Sequence, residues 1–177
     1  LYQESATRAT ADGAISILQG RTVGGGTVVN WTTSFRTPED VVEHWRSKRN
    51  VSGFSYADLV PHYQWIEERL CIEKVAYDTL NANNRLLYDG CKKLGWSADT
   101  LRRNVFRCAQ SGMCHLGCPV NAKRSMLVTL IPDTIDAGGR LLFRARGDRF
   151  EHEGSEVTRL HGRLFDKDGI APTGRAF

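Results

Sequence analysis

A glycine-rich stretch near the start of this 177-residue chain restricts its possible folds more than any other feature. The stretch reads QGRTVGGGTVVNW and runs from Gln19 to Trp31. Glycine is favoured where the backbone needs a positive φ angle or where another group must approach the backbone closely. Valine favours extended backbone, so we expect Val28 and Val29 to be extended. The stretch is therefore predicted to be a tight loop that either holds a ligand against its backbone or only joins two elements.

The glycine spacing is similar to that of nucleotide-hydrolysing phosphate loops, GxxxxGK[ST], apart from one residue. Gly20 is followed after four residues by Gly25-Gly26-Thr27, so Gly26 stands at the lysine position. That lysine supplies the charge at the β- and γ-phosphates, and its absence argues against nucleotide hydrolysis. Backbone N–H groups can still hold a pyrophosphate, and Arg21 can add one fixed charge. A tight turn that only joins two elements is the alternative, and the glycines taken alone favour it.

Composition and charge exclude several classes of protein. With 41% hydrophobic and 25% charged residues, the chain has the composition of an ordinary globular protein. Its longest apolar runs are only a few residues, so no transmembrane segment is predicted. The net charge is +4, but the late arginines alternate with acids, which favours a solvated hairpin and no nucleic-acid partner. Five cysteines without a signal peptide favour a reducing compartment, so we expect a cytoplasmic or membrane-peripheral location.

The segment before residue 105 is predicted to be mostly helical. A weak helical pattern covers residues 4–19. A second helix starts at Thr37-Pro38 with a capping hydroxyl and ends by Asn50. A third starts with a capping box at Ser55, is interrupted by Pro61 and then resumes. A fourth spans Asn83 to Leu94 and ends at Gly95.

The last third of the chain has a different pattern. A loop at residues 107–121 precedes a helix at residues 125–137, which we expect to bend at Pro132. Residues 140–146 and 156–165 are predicted strands, with a turn at residues 166–169. The order of elements predicts a mixed α/β fold, in which a helical insertion separates two parts of a sheet-containing domain.

Three cysteines in the loop at residues 107–121 raise the question of a metal site. Cys108, Cys114 and Cys118 have the spacing C-x5-C-x3-C. Zinc sites favour C-x2-C pairs and four ligands, which this loop lacks. Three thiolates could hold a three-iron cluster, so an iron–sulfur site on these cysteines is the alternative. Free cysteines also pack as small hydrophobic residues, and we predict structural thiols and no metal.

The stretch GRTVGGGTVVNW resembles the first signature of the glucose–methanol–choline (GMC) oxidoreductases, the flavoprotein alcohol oxidases and dehydrogenases. The segments SFRTPEDVVEHW, SYADLVPHYQWIEERL and NAKRSMLVTLIP resemble later segments of that family. The resemblance implies part of a Rossmann-like FAD-binding domain with a helical insertion. We then expect residues 1–36 to belong to the FAD-binding domain and residues 37–104 to form the insertion. Residues 105–177 would return to the FAD-binding domain.

The same resemblance implies roles for individual residues. Those expected to contact FAD are Gly20, Arg21, Gly24, Gly25, Gly26, Thr27, Asn30, Trp31 and Thr32. Val29 stands where members with covalently bound flavin have a histidine, so the FAD is expected to be noncovalent. None of the five histidines lies in a context that matches the catalytic histidine of the family. We therefore assign no catalytic residue here and expect that residue in a later, C-terminal part.

The function implied by the resemblance is oxidation of a small-molecule alcohol by hydride transfer to FAD. The electron acceptor would be oxygen, a quinone or an electron-transfer protein. The chain resembles an internal fragment of such an enzyme, and the isolated segment is expected to be inactive. Two alternatives remain, an iron–sulfur electron-transfer dehydrogenase subunit of the same family and a catalytically inert fragment.

Overall fold

The computed structural model describes all residues, Leu1–Phe177, and these form two compact units, Leu1–Asp133 and Thr134–Phe177. The first unit contains α1 (Gly26–Val29), α2 (Glu39–Arg49), α3 (Tyr56–Arg69), β1 (Ile72–Lys74), α4 (Ala82–Lys93) and β2 (Arg102–Asn104). Strands β1 and β2 form an antiparallel pair in which Ile72 lies opposite Asn104. No helix has both the length and the apolar character that crossing a membrane requires.

The N-terminal residues form an irregular hairpin, so the predicted helix over residues 4–19 is wrong. Backbone bridges join Tyr2 to Gly20 and Ala9 to Ser16. At the turn, the Asp12 carboxylate accepts hydrogen bonds from the hydroxyl of Thr10 and the N–H of Ala14. Aspartate and glycine stabilise turns, and here this local chemistry outweighs a weak helical pattern.

Helix α2 confirms the prediction with one change at its start. The helix begins at Glu39, and Pro38 is its N-cap without a side-chain hydrogen bond, so the expected hydroxyl cap is not formed. It ends at Arg49, and its C-cap Asn50 adopts the left-handed conformation with φ 52°. Val42 is its innermost side chain, at 1% exposure.

Helix α3 begins at the predicted capping box but is not interrupted by Pro61. The backbone N–H of Ser55 donates to the Asp58 carboxylate at 2.7 Å, and the N–H of Asp58 donates to the Ser55 hydroxyl at 3.3 Å. Pro61 lies inside the continuous helix Tyr56–Arg69. The carbonyl that loses its donor belongs to Ala57, and Ala57 is exposed, so water can replace that donor.

Helix α4 matches its predicted range to within one residue at each end. The Asn81 side chain caps it by accepting the N–H of Asn84 at 2.9 Å. Gly95 follows its end with φ 71°, as expected for a glycine after a helix.

Helix α5 (Leu130–Asp136) follows a 3₁₀ turn at Met126–Val128. The break in the helical backbone lies at Thr129, with φ −130° and ψ −93°, so the predicted bend at Pro132 is wrong. Pro132 is the third residue of α5. In the first turn of a helix the missing N–H of proline has no intrahelical partner to lose, so the ring causes no bend there.

The second unit contains a three-stranded antiparallel sheet of β3 (Ala145–Glu153), β4 (Glu156–Phe165) and β5 (Pro172–Ala176), in the order β3-β4-β5. Strand β4 confirms the predicted range, and the turn after it forms with the N–H of Gly169 donating to the carbonyl of Asp166 at 3.0 Å. The prediction of a strand at residues 140–146 is wrong over most of its length, because pairing with β4 begins only at Ala145.

The mixture of helices and strands confirms the α/β part of the predicted fold class. Both sheets of this chain are antiparallel and do not show the Rossmann-like arrangement. That arrangement therefore stays a prediction. The predicted domain boundaries at residues 36 and 104 also stay predictions. The buried apolar side chains are few, namely Val28, Val29, Val42, Leu70 and Ala122. An equal number of polar residues is at least as buried, namely Thr32, Asn104, Lys123, Ser125 and Thr129.

Candidate cofactor site

The glycine loop is a tight turn that leads into a helix. The N–H of Gly25 donates to the carbonyl of Thr22 at 2.9 Å, and α1 begins at the next residue. The expected extended backbone at Val28 and Val29 is therefore wrong, because both residues are helical. Their side chains are buried, and this packing outweighs the preference of valine for strands.

The glycines of the loop have different surroundings. A Cβ atom on Gly20 would lie 2.5 Å from the Gly25 carbonyl oxygen, and one on Gly24 would lie 2.8 Å from Val28 Cγ2. Both glycines are thus needed for packing within the chain. A Cβ atom on Gly25 or Gly26 would meet nothing within 4 Å. The open face of the loop is therefore at Gly25 and Gly26.

The start of α1 carries backbone donors without acceptors. The N–H groups of Gly26 and Thr27 make no hydrogen bond within the chain, whereas the N–H of Gly25 is used in the turn. The Thr27 hydroxyl donates to the Gly24 carbonyl at 2.6 Å and accepts the N–H of Met126 at 3.0 Å. These bonds fix the loop, and the two N–H groups remain without an acceptor in the chain. Arg21 is exposed, and its own N–H donates to the Leu1 carbonyl at 2.7 Å.

The segment after α1, Asn30–Thr32, presents two of its three residues to solvent. The Asn30 side chain accepts the N–H of Thr32 at 3.2 Å. Trp31 is 57% exposed and stacks on His115, with the ring centroids 4.9 Å apart. Thr32 is fully buried and has φ 68°, which is unusual for a β-branched residue. The residues from Gly24 to Thr32 that are predicted to contact FAD therefore lie along one continuous stretch of chain. Of the last three, only Thr32 is buried.

Lys123 is a buried residue of this site that no sequence pattern predicts. It is 3% exposed, and its ammonium donates to the carbonyls of Val28 at 2.6 Å, Asn30 at 3.0 Å and Cys114 at 2.6 Å. Burial lowers the pKa of Lys123, although the nearby sulfur atoms of Cys114 and Cys118 act in the opposite direction. Lys123 thus links the end of α1 to the loop at residues 107–121, which we call the cysteine loop.

Arg103 makes a second link that was also not predicted. Its Nε donates to the Thr32 hydroxyl at 2.7 Å, and its Nη2 lies 3.2 Å from the sulfur of Cys114. In the sequence, Arg103 and Lys123 each belong to an ordinary basic pair, Arg102-Arg103 and Lys123-Arg124. No pattern in the sequence distinguishes them from exposed residues.

The three cysteines of the loop are not equivalent. Cys108 is exposed, Cys114 and Cys118 are half-buried, and no three His, Cys, Asp or Glu side chains converge on a common point. Burial raises the pKa of the Cys118 thiol, but the backbone N–H groups of Lys123, Val120 and Ala122 outweigh this and lower it overall. Cys118 and Lys123 both line a cavity of about 280 Å³ beside the end of α1. The structural role predicted for these thiols stays a prediction.

Comparison with known proteins identifies the family. The GMC oxidoreductase family matches residues 1–164. A GMC-type oxidoreductase of Sinorhizobium fredii, y4nJ, is 32% identical over 155 residues, which are 88% of this chain and 30% of that protein. Long-chain-alcohol oxidase FAO3 of Arabidopsis thaliana is 28% identical over 151 residues, which are 85% of this chain and 20% of that protein. No solved structure matches the chain significantly.

The matches cover most of this chain but only 20–30% of the length of these relatives. The matched region is the FAD-binding region of the family, so FAD is the expected cofactor. The glycine loop, the Asn30–Thr32 segment and the cysteine loop all lie within residues 1–164. The chain therefore belongs to the GMC oxidoreductase family.

Proposed function

We propose that this chain forms part of the FAD site of an enzyme that oxidises the CH–OH group of an alcohol. The observation that supports this most directly is the open face of the glycine loop. A Cβ atom on Gly25 or Gly26 would meet nothing within 4 Å, and the N–H groups of Gly26 and Thr27 have no acceptor in the chain. Unpaired backbone donors beside uncovered glycines are what a pyrophosphate needs for binding.

The residues of this chain would bind and orient the cofactor. Gly24, Gly25, Gly26 and Thr27 would present backbone to the pyrophosphate–ribityl region, with Gly20 and Arg21 at the edge of the loop. The side chains of Asn30 and Trp31 are exposed, so both are accessible to the ring system of the flavin. Thr32 is buried, so it would act through its backbone position. FAD, when bound, accepts the hydride from the alcohol carbon.

We further propose that the FAD is bound noncovalently. Val29, which stands at the position of the covalent histidine, has a buried hydrocarbon side chain and no nucleophilic atom. We assign no catalytic acid or base to this chain. The proposed substrate is an alcohol, and the proposed electron acceptor is oxygen or a quinone. Long-chain alcohols are the first substrates to assay, because FAO3 carries that description.

Gly26→Val in the intact protein tests the cofactor site. Gly26 does not have a positive φ, and a Cβ atom there meets no protein atom within 4 Å, so the variant should fold. Its side chain would occupy the space proposed for FAD, and we expect the bound flavin to fall from stoichiometric to a small fraction after gel filtration. Gly90→Val is the matched control, because Gly90 is also a helical glycine with open space around it.

Retention of stoichiometric flavin in a folded Gly26→Val protein would reject the proposed site. The reaction itself is tested by anaerobic bleaching of the flavin absorbance with a long-chain alcohol. Wild-type protein purified without flavin, and unable to take it up, would reject the proposed function as a whole.

A further inference from the structure

Two buried or half-buried cations hold the Asn30–Thr32 segment from opposite ends. Lys123 donates to the carbonyl of Asn30, and Arg103 donates to the hydroxyl of Thr32. Both cations also contact Cys114, Lys123 at the carbonyl oxygen and Arg103 at the sulfur. We call Lys123 and Arg103 the cationic clamp. The clamp ties the segment to the cysteine loop at both of its ends.

The charge of the clamp is not neutralised by any carboxylate. The charged or ionisable groups that act on Lys123 are Cys114, Cys118 and Arg103. Neither clamp residue takes part in an ion pair, and the partners of Lys123 are three neutral carbonyls. Burying an ammonium is costly unless its hydrogen bonds are well placed. A hydrocarbon side chain would fill the same space without that cost, so packing alone does not explain the lysine.

The position of the bonds shows what the clamp can do. Its acceptors at Val28 and Asn30 are carbonyls at the end of α1, where a cation also interacts favourably with the helix dipole. With the carbonyl of Asn30 held inward, the side chains of Asn30 and Trp31 remain exposed. At the other end, Arg103 holds Thr32 in the left-handed backbone conformation that a threonine rarely adopts.

We infer that Lys123 and Arg103 are positioning residues that hold Asn30 and Trp31 in the orientation required for contact with the flavin. This inference rests on the proposed FAD site. The clamp acts through the backbone carbonyl of Asn30 and the hydroxyl of Thr32, and it has no chemical step of its own. The stack of Trp31 on His115 reports the same geometry, because His115 follows Cys114, which both cations contact.

The test uses Lys123→Met and Lys123→Arg in the intact protein, with Lys93→Met as control. Methionine keeps the length of the side chain and removes the three hydrogen bonds. Lys93 is exposed at the end of α4, so its replacement should change nothing. We expect Lys123→Met to weaken FAD binding by roughly tenfold to a hundredfold, given the strength of hydrogen bonds to charged groups. The visible circular dichroism of the bound flavin should also change.

A second readout does not depend on the cofactor. In protein without FAD, the near-ultraviolet circular dichroism of the Trp31–His115 stack is obtained as the difference between wild type and Trp31→Phe. Lys123→Met should abolish most of this difference while the far-ultraviolet spectrum stays unchanged. A lysine with a purely structural role would change both spectra together.

Each outcome decides the inference. The inference would be overturned by a Lys123→Met protein that folds, binds FAD within twofold of wild type and keeps the Trp31 signal. If Lys123→Met does not fold, Lys123→Arg decides, because it keeps the cation but cannot direct one nitrogen at three carbonyls. Normal flavin binding and a normal Trp31 signal in Lys123→Arg would then reject the clamp. Wild-type protein that contains no flavin and cannot take it up would reject the proposed function. The Trp31 signal would still test the clamp in that case.

Discussion

Replacement of Gly24 by alanine should destabilise the protein far more than replacement of Gly26, although the two glycines are only two residues apart. At Gly24 the new Cβ would lie 2.8 Å from Val28 Cγ2, 2.9 Å from the N of Leu127 and 3.0 Å from its Cβ. Two of these contacts involve Leu127, and one of those is to backbone, which cannot move away easily. Gly24 also has φ 91°, which an alanine adopts only with strain.

The expected magnitude follows from these two effects. An alanine held in a left-handed conformation costs about 1–2 kcal/mol. Forcing an extra methyl group into a packed site costs about 1–3 kcal/mol. Together they predict that Gly24→Ala lowers the free energy of unfolding by about 2–5 kcal/mol. Gly26→Ala meets no atom and has no positive φ, so its free energy of unfolding should be unchanged or raised by up to about 1 kcal/mol.

Equilibrium unfolding in urea measures both values. The intact protein should be studied without FAD, because a ligand that binds only the folded state would add to its apparent stability. A Gly24→Ala protein within about 0.5 kcal/mol of wild type, the usual spread for surface substitutions, would refute the packing described for this loop. So would a Gly26→Ala protein as unstable as Gly24→Ala.

Two further predictions concern regions away from the loop. Ser55→Ala removes the capping box of α3 and should lower the free energy of unfolding by about 1 kcal/mol, measured against Ser52→Ala as an exposed control. Arg163 and then Arg146 hold the pKa of Asp148 down to about 2, from an ordinary value of 3.8. Because the pKa is lowered in the folded state, the stabilisation is complete above pH 3.8 and is lost as the pH falls towards 2. The difference in stability between wild type and Asp148→Asn should therefore shrink over that range in acid unfolding curves, and a difference that grows there would contradict the ion pairs.

Features that depend on neighbouring residues were predictable from the sequence. The capping box at Ser55 and Asp58, the glycine after α4 and the range of β4 each need only a few adjacent residues to specify them. The glycine loop was also identified, because its spacing is unusual. These signals are local hydrogen bonds and backbone preferences, which the order of residue types records directly.

Features that depend on distant residues were not predictable. Val28 and Val29 are helical because they pack against later parts of the chain, against their own preference for strands. The bond from Arg103 to Thr32 spans 71 residues, and the bond from Lys123 to Val28 spans 95. Nothing next to either basic residue shows that it is turned inward. The glycine loop was therefore predicted, whereas the residues that hold the Asn30–Thr32 segment were not.

The bond between the Thr27 hydroxyl and the N–H of Met126 has a consequence for biosynthesis. The two residues are 99 positions apart, so the donor does not exist when the glycine loop is synthesised. At about 5–20 residues per second, translation takes roughly 5–20 s to cover that interval. Throughout that time the loop has its local bonds but lacks the contact with Met126, and a contact of such long range is slow to form. The glycine loop is thus completed late in folding, only after the cysteine loop and the turn at Met126–Val128 have been synthesised.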